Sequence, residues 1–383
     1  MGKTAVIYWP FSVFREVHLK KDAGSIPSSL RKMGYETNLI VGEFLSPNIN
    51  GVNIYETGNP HYKIMNPLSQ ANEFIKVIKK LIRLSPDIII TYNRNPFFPL
   101  MVVLYKLTNI FKFTKRRKTK FIIKLDSDGN FRFTNFPSHF LDKSYFHGLL
   151  NISASVMLKL NNFFSDYISI ESECGLERVK KTLHKAKKLV VIPNGCALSY
   201  FEDYHKVVPQ KEDIILAVSR VVKQKSLETL IDAFASISPI APEWSIKIVG
   251  DIEDQSYYEE LLKQIEKLGL NNRVNFEGMV SQEKLLEFYY RSSIFCLSSN
   301  WESDGISRRE AIAAGLPVIT TEAGCGRTLE KYGSIVVPIN DPKSLASGLA
   351  RLMSDENLRK EISASQKAAV VTWDDVVERY VSL

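Results

Sequence analysis

Short β-branched runs that alternate with helical patterns, one polar break near mid-chain, and a fresh start of the alternation after it predict an α/β protein: two Rossmann-like domains facing an interdomain cleft. The length agrees, because 383 residues exceed what a single hydrophobic core keeps absorbing. With 45% apolar and 24% charged residues, the composition is that of a globular protein and leaves no long disordered region.

In the first domain, residues 1–195, strands are expected at 4–8, 37–41, 87–91, 120–125, 167–170 and 189–192. Helical patterns lie between them, from Ser25 to Met33 with Gly34 as the stop, and from Ala71 to Leu84 before Pro86. Pro193-Asn194-Gly195 marks a turn, and the polar stretch through Lys206, Pro209, Gln210 and Lys211 is the best linker in the chain. The second domain, residues 196–370, repeats the pattern with strands at 214–218, 245–249, 273–276, 294–297, 317–320 and 334–337. Residues 371–383 form a last helix whose Val376, Val377 and Tyr380 give it a modest apolar face, expected to cross back toward the first domain. Open parallel sheets offer ligands the carboxyl ends of their strands, so the active site is expected between the domains.

The net charge is +8 and unevenly spread: Lys112, Lys115, Arg116, Arg117, Lys118, Lys120 and Lys124 fall together with no acid before Asp126. Two readings stay open, an anionic partner such as a membrane surface and a solvated basic loop. The apolar stretch 97–113 before the cluster reads either as a helix buried on one side or as an interfacial helix whose cations engage anionic lipid. No nucleic-acid motif frames these residues, and nucleic acid is not expected as a partner. Cys174, Cys196, Cys296 and Cys325 show no Cys-x-x-Cys spacing and suit reduced thiols. The first residues lack a signal peptide pattern, and no apolar stretch reaches the roughly 20 residues of a membrane span. A cytoplasmic protein is expected, or one peripheral on the cytoplasmic membrane face.

The densest chemical signal runs from Ile294 to Thr321: a strand, a polar loop with Gly305, a helix opening near Ile306, a stop at Gly315 and another strand. Amides at a helix N-terminus are unpaired and carry the positive end of the dipole, so Gly305-Ile306-Ser307 is a natural cradle for a diphosphate. Glu302 lies at its mouth and Glu310 eight residues later, where carboxylates accept hydrogen bonds from sugar hydroxyls. The bland alternative is two solvated surface carboxylates.

This segment resembles retaining glycosyltransferase family 4, with its Glu-x7-Glu motif followed by Glu-Ala-x-Ala-x-Gly-x-Pro-Val. Further matches are Ile192-Pro193-Asn194-Gly195, Leu216-Ala217-Val218-Ser219-Arg220 with Lys225, Ile248-Val249-Gly250-Asp251, Val274-Asn275-Phe276-Glu277-Gly278 and Trp373-Asp374, so the similarity covers about residues 166 to 383. The resemblance implies the GT-B fold and transfer of a sugar, with retention, from a UDP- or GDP-sugar to an acceptor hydroxyl. It implies that Arg220 and Lys225 clamp the diphosphate, that Gly250 and the Gly278-Met279-Val280 turn lie at the nucleotide, that Glu310 binds the ribose and that Glu302 faces the transferred sugar. Fixed cations stabilise a leaving diphosphate as its charge grows, so no metal or other cofactor is expected, although Asp126-Ser127-Asp128 has the spacing of a metal motif.

The sequence also departs from the family pattern. Ser303 and Asp304 stand after the first Glu and would line the sugar pocket, Ser226 replaces a Gly after Lys225, Ala197 stands where an Asp is common, and the paired glycines appear as Gly324-Cys325-Gly326. In the first domain Gly24 is read as part of a Gly loop facing the donor. Asp126 is read either as a catalytic residue orienting acceptor or sugar or as an ordinary turn residue before Gly129. The rival from another class is a catalytically silent scaffold of the same fold that holds anionic lipid or nucleic acid.

Overall fold

The computed structural model of the chain describes residues 2–19, 21–58, 67–92, 98–111, 119–125, 159–160, 162–183, 188–196, 210–302 and 304–383. The chain divides into two compact units, Met1–Asn194 with Trp373–Leu383, and Gly195–Thr372.

Unit 1 is built on β1 (Thr4–Arg15), α1 (Asp22–Lys32), β2 (Glu36–Leu45), β3 (Val52–Glu56), α2 (Pro67–Leu84), β4 (Ile88–Tyr92), α3 (Phe98–Phe111), β5 (Lys120–Leu125), β6 (Tyr167–Ile170), α4 (Glu173–Thr182) and β7 (Leu189–Val191). The sheet order is β3-β2-β1-β4-β5-β6-β7, and every pair is parallel. Val6, Ile40, Ile89, Phe121, Ile123 and Ile168 bring their apolar faces into one core with Val77 and Leu81 of α2 and Met101 and Tyr105 of α3. The central strand β4 is buried along its whole length, as expected of a parallel strand covered on both faces.

Three differences from the sequence reading have physical causes. β1 runs on to Arg15 with a register shift between Trp9 and Val13, where Pro10 offers the ladder no amide, and a proline in a strand belongs at such an irregularity. β3 was not expected; it is a short edge strand with one buried residue, Val52, so its alternation is faint. α1 begins at Asp22, which places Gly24 inside its first turn rather than in a loop. A β-carbon on Gly24 would lie 2.5 Å from the Leu19 carbonyl oxygen and 2.7 Å from that of His18, so the glycine admits the chain's own backbone.

Lys124 also corrects the sequence reading. It is not part of a solvated basic surface: its side chain is 2% exposed, 2.6 Å from Glu171 and 2.9 Å from Asp22. Asn194 Nδ2 donates to the same Glu171 oxygen at 2.9 Å, and the Ala23 amide donates to Asp22 at 2.8 Å. The cation thus ties the carboxyl ends of β5 and β6 to the first turn of α1. The helix Trp373–Ser382 packs on α1, with Lys32 bridging to Asp374 at 3.2 Å, and its buried Tyr380 hydroxyl lies 2.8 Å from Ser169 Oγ on β6.

Unit 2 contains β8 (Ile214–Val218), α5 (Leu227–Ile237), β9 (Ser245–Val249), α6 (Gln255–Lys267), β10 (Val274–Gly278), α7 (Gln282–Arg291), β11 (Ile294–Leu297), α8 (Ile306–Ala313), β12 (Val318–Thr321), β13 (Ile335–Val337), α9 (Pro342–Ser354) and α10 (Glu356–Gln366), which makes the C-terminal helix α11. Its all-parallel sheet has the order β10-β9-β8-β11-β12-β13. Connections from β8 lead to one side and those from β11 to the other, the doubly wound arrangement whose ligand crevice opens where the direction reverses. Ile215, Ile246, Ile294 and Ile319 pack under α5 and α9 on one face, while Leu216, Phe295 and Val318 pack with Tyr289, Ala311 and Ile312 on the other.

Cys196 and Cys296 are buried free thiols. Cys174 is disulfide-bonded, against the expectation of reduced thiols throughout. Among the described residues no helix is long and apolar enough to cross a membrane.

Removing a buried cation leaves its carboxylates uncompensated, at a cost of about 3–5 kcal/mol. Lys124→Met is expected to lower stability by that order, whereas Lys120→Met, half-buried on the same strand, should change it by no more than about 0.5 kcal/mol. Urea denaturation midpoints of the two variants check the contrast.

Candidate functional site

At the carboxyl ends of the neighbouring strands β8 and β11, two segments far apart in sequence are stitched together. Ser298 Oγ donates to the Lys225 carbonyl at 2.9 Å, the Asn300 amide to the Gln224 carbonyl at 2.9 Å, and Gln224 Nε2 to the Trp301 carbonyl at 2.9 Å. These bonds bring Lys225 Nζ to 2.5 Å from Glu302 Oε1, which also accepts from Ser299 Oγ at 2.7 Å. The side chains of the pair are only 12% and 9% exposed, so their attraction acts in a medium well below the dielectric of water.

The next residue explains a departure from the family pattern. Ser226 has φ +47°, in the left-handed region that favours glycine. Its hydroxyl donates to Asn340 at 3.1 Å and lies 2.8 Å from Thr229 Oγ1, contacts a glycine could not make. Asn340 is itself at φ +57°.

α8 opens at Gly305, φ +71°, and its first amides carry the positive end of the helix dipole. Ile306 and Ser307 are half-buried on this first turn. Asp304 corrects the sequence reading: it is buried, and both its oxygens accept from Arg309 at 2.7 Å, so the carboxylate is held by a bidentate ion pair rather than offered to a sugar. Glu310 is half-buried and accepts at 2.8 Å from the buried Tyr289 hydroxyl, whose pKa is pushed well up by burial and by the Glu310 charge. Burial, with a smaller push from Glu310, also raises the neighbouring Cys196 thiol to about 12.

Arg308 is 3% exposed. Burial lowers its pKa, and the charges of Asp304 and Glu302 oppose that shift. Nη2 donates to the carbonyls of Asp304 at 2.7 Å and Gly324 at 3.0 Å, and Nη1 to Thr320 Oγ1 at 3.2 Å and the Ala323 carbonyl at 3.3 Å.

The remaining predicted residues lie as follows. Arg220 lies two residues past the end of β8, half exposed and 2.6 Å from Glu253. Gly250, φ +147°, lets the end of β9 approach β8, because a β-carbon there would sit 2.2 Å from the Ser219 carbonyl oxygen. Its amide donates to Gly278 at 2.9 Å, at the end of the edge strand β10. Beyond it Met279 is 72% exposed and Val280 packs against the core. Asp126, Ser303 and the basic residues Lys112, Lys115, Arg116, Arg117 and Lys118 lie outside the described residues. Among the described residues no group of three or more His, Cys, Asp or Glu could hold a metal ion.

Sequence reasoning passed over Arg308, Tyr289, Glu253 and Ser299. Only Arg308 left a local trace, as half of an Arg-Arg doublet in a helix otherwise rich in small and apolar residues.

Residues 201–368 match the family model described as Glycosyl transferases group 1. An uncharacterized glycosyltransferase of Methanocaldococcus jannaschii is 29% identical over 57% of this chain and 61% of its own length. The mannosylfructose-phosphate synthase of Agrobacterium fabrum is 28% identical over 44% of this chain and 40% of its own length. The chain thus spans less than two thirds of either relative. The Anabaena protein HepE, solved with UDP and glucose, superposes with a TM-score of 0.70 at 17% identity over 98% of both chains. Sucrose-phosphate synthase from Thermosynechococcus elongatus gives 0.70 at 17% identity, over 99% of this chain and 98% of that one. The fold is GT-B, and unit 2 carries a glycosyltransferase sequence pattern.

Gly250→Ala would set a β-carbon against the Ser219 carbonyl at a backbone angle that suits glycine. A loss of roughly 1–3 kcal/mol is expected, whereas Gly269→Ala, with open space around it although also at positive φ, should lose less. Thermal unfolding of the two variants gives the comparison.

Proposed function

We propose that the chain is a retaining glycosyltransferase that moves a hexosyl-type sugar from a UDP- or GDP-sugar to an acceptor hydroxyl, in the synthesis of a glycan, lipid-linked oligosaccharide or envelope polysaccharide. One observation carries this reading: Arg220, Lys225, Glu302 and the N-terminus of α8 all gather at the carboxyl ends of β8 and β11, where the sheet reverses direction. That edge presents two cations and a set of helix amides, which is what a diphosphate requires. The sugar-nucleotide class is supported by HepE, whose structure holds UDP and glucose. Retention rests on the family resemblance.

On this reading Arg220 and Lys225 take up the negative charge that grows on the departing diphosphate, so the chemistry runs without a resident metal. Each cation meets the ligand with a carboxylate already beside it, Glu253 for Arg220 and Glu302 for Lys225. The half-exposed Arg220–Glu253 pair is weak and exchanges readily for a phosphate. Glu310, fixed at one oxygen by Tyr289, is the ribose partner. Leaving-group stabilisation by the diphosphate removes the need for the paired acid and base of a glycosidase.

Incubation with a panel of nucleotide sugars, with and without lipid acceptors and with and without EDTA, tests the activity. Released diphosphate from one donor, unaffected by EDTA, is expected. Silence across the panel would favour the scaffold reading. Arg220→Ala is expected to lower kcat/KM by about 10²-fold or more, as loss of a transition-state charge partner does; wild-type kinetics would remove Arg220 from the clamp.

The basic residues from Lys112 to Lys118 are proposed to hold an anionic membrane face near the acceptor. Sedimentation with phosphatidylserine vesicles should show binding that fades with salt.

A further inference from the structure

Arg308 stands apart from the residues that would touch a donor. It is a fully covered guanidinium between two loops, the one that opens α8 and the one that follows β12. Three of its four acceptors are backbone carbonyls, those of Asp304, Ala323 and Gly324. The fourth is the hydroxyl of Thr320 on β12. The two loops meet closely around it. A β-carbon on Gly305 would lie 2.8 Å from Arg308 Nε, one on Gly326 would lie 3.2 Å from Arg308 Nη1 and 2.0 Å from the Thr321 carbonyl oxygen, and one on Gly324 would lie 2.5 Å from Glu302 Cβ.

A trans peptide unit is planar, and its C=O and N–H point in opposite directions. A carbonyl that faces Arg308 therefore turns the amide of the same peptide away from it. The three carbonyls belong to the peptides whose amides are those of Gly305, Gly324 and Cys325. Two of these lie in the first turn of the 3₁₀ segment Ala323–Tyr332 and the third caps α8, positions where a helix has no internal acceptor to offer an amide. The guanidinium charge sits behind all three peptides and adds a positive potential on the side from which their amides point outward.

We propose that Arg308 is a positioning residue for an anion cradle: by occupying the carbonyls of Asp304, Ala323 and Gly324 it aims the amides of Gly305, Gly324 and Cys325 at the phosphate end of a diphosphate ligand. The inference rests on the reading of this edge as a donor site and assigns the backbone geometry of that site to one buried side chain. Lysine offers a point charge in place of a planar fork and cannot hold four acceptors in this arrangement.

The test uses the full chain and its Arg308→Lys and Arg308→Gln variants, with UDP and inorganic pyrophosphate titrated by calorimetry and uridine by NMR. Loss of UDP and pyrophosphate affinity by about tenfold or more is expected, with uridine affinity held within about twofold. A structural role alone would weaken uridine as much as pyrophosphate, and that result overturns the inference. So does a folded Arg308→Lys variant that binds UDP as the wild type does, an outcome that leaves the donor reading standing. Pyrophosphate binding that depends on Arg308 in a chain that binds neither UDP nor GDP would sustain the cradle and defeat the donor reading. A wild-type chain that binds no pyrophosphate and no nucleoside diphosphate overturns both. If neither Arg308 variant folds, Thr320→Val, which removes one anchor and keeps the charge, is expected to give the same selective loss at about threefold; wild-type affinity for all three ligands in that variant, or the same loss for uridine as for pyrophosphate, overturns the inference.

Discussion

A strand that lies parallel to its neighbour must be reached by a chain that first returns along a face of the sheet, so all the segments that leave the strands emerge at one edge. In unit 2 this constraint decides where chemistry can happen. β8 and β11 are neighbours, yet the connections beyond them lead to opposite sides of the sheet, so the segments that follow both strands meet at its carboxyl edge where the direction reverses. Lys225 and Glu302, 77 positions apart, meet at 2.5 Å because their strands end side by side. The bonds from Ser298, Asn300 and Gln224 fix the register of that meeting, and Ser226 holds the turn behind it.

Burial then sorts the cations of the fold by what they can do. Lys124 is almost completely covered and faces two carboxylates, so removing it from their company carries the full penalty of an uncompensated charge. Arg308 is as well covered, but its partners are mainly carbonyls, which bind its donors without cancelling its charge. Lys225 lies between these cases, one-eighth exposed beside a single carboxylate. Arg220 is half exposed and its pair with Glu253 is a surface pair of small net worth. The order from Lys124 to Arg220 runs from cations fixed by the fold to cations freer to exchange partners.

The sheets were legible because their strands are short apolar runs bounded by turn residues, and the Gly305 helix start was legible because a glycine before a small-residue helix has few other uses. What sequence could not show were the partners of each charge. Lys120 and Lys124 sit four residues apart on one strand and look alike in sequence, but one is half-buried at its start while the other turns inward at its carboxyl end to meet Asp22, which is distant in sequence. Asp304 looked like a sugar-facing acid because its bidentate partner Arg309 is five residues away on a helix face that only the fold defines. β3 was missed because an edge strand with one buried residue leaves almost no alternation to read.

Two departures from the family pattern, Ser226 and Asp304, each come with partners that hold them in place. Serine at a left-handed position costs about 1–2 kcal/mol, and Ser226 offsets part of that through hydrogen bonds to Thr229 and Asn340 that glycine could not form. Asp304 and Arg309 likewise belong together, because a buried aspartate without its arginine would be an uncompensated charge and the arginine without the aspartate an idle one. Arg308 extends the same logic to the backbone: Gly305, Gly324 and Gly326 leave the room that its guanidinium and the two loops require, and any side chain at those positions would meet it or its neighbours. Read singly, each substitution weakens the case for a working phosphate site. Taken together, they are side chains that fix the loops after β8, β11 and β12 from within.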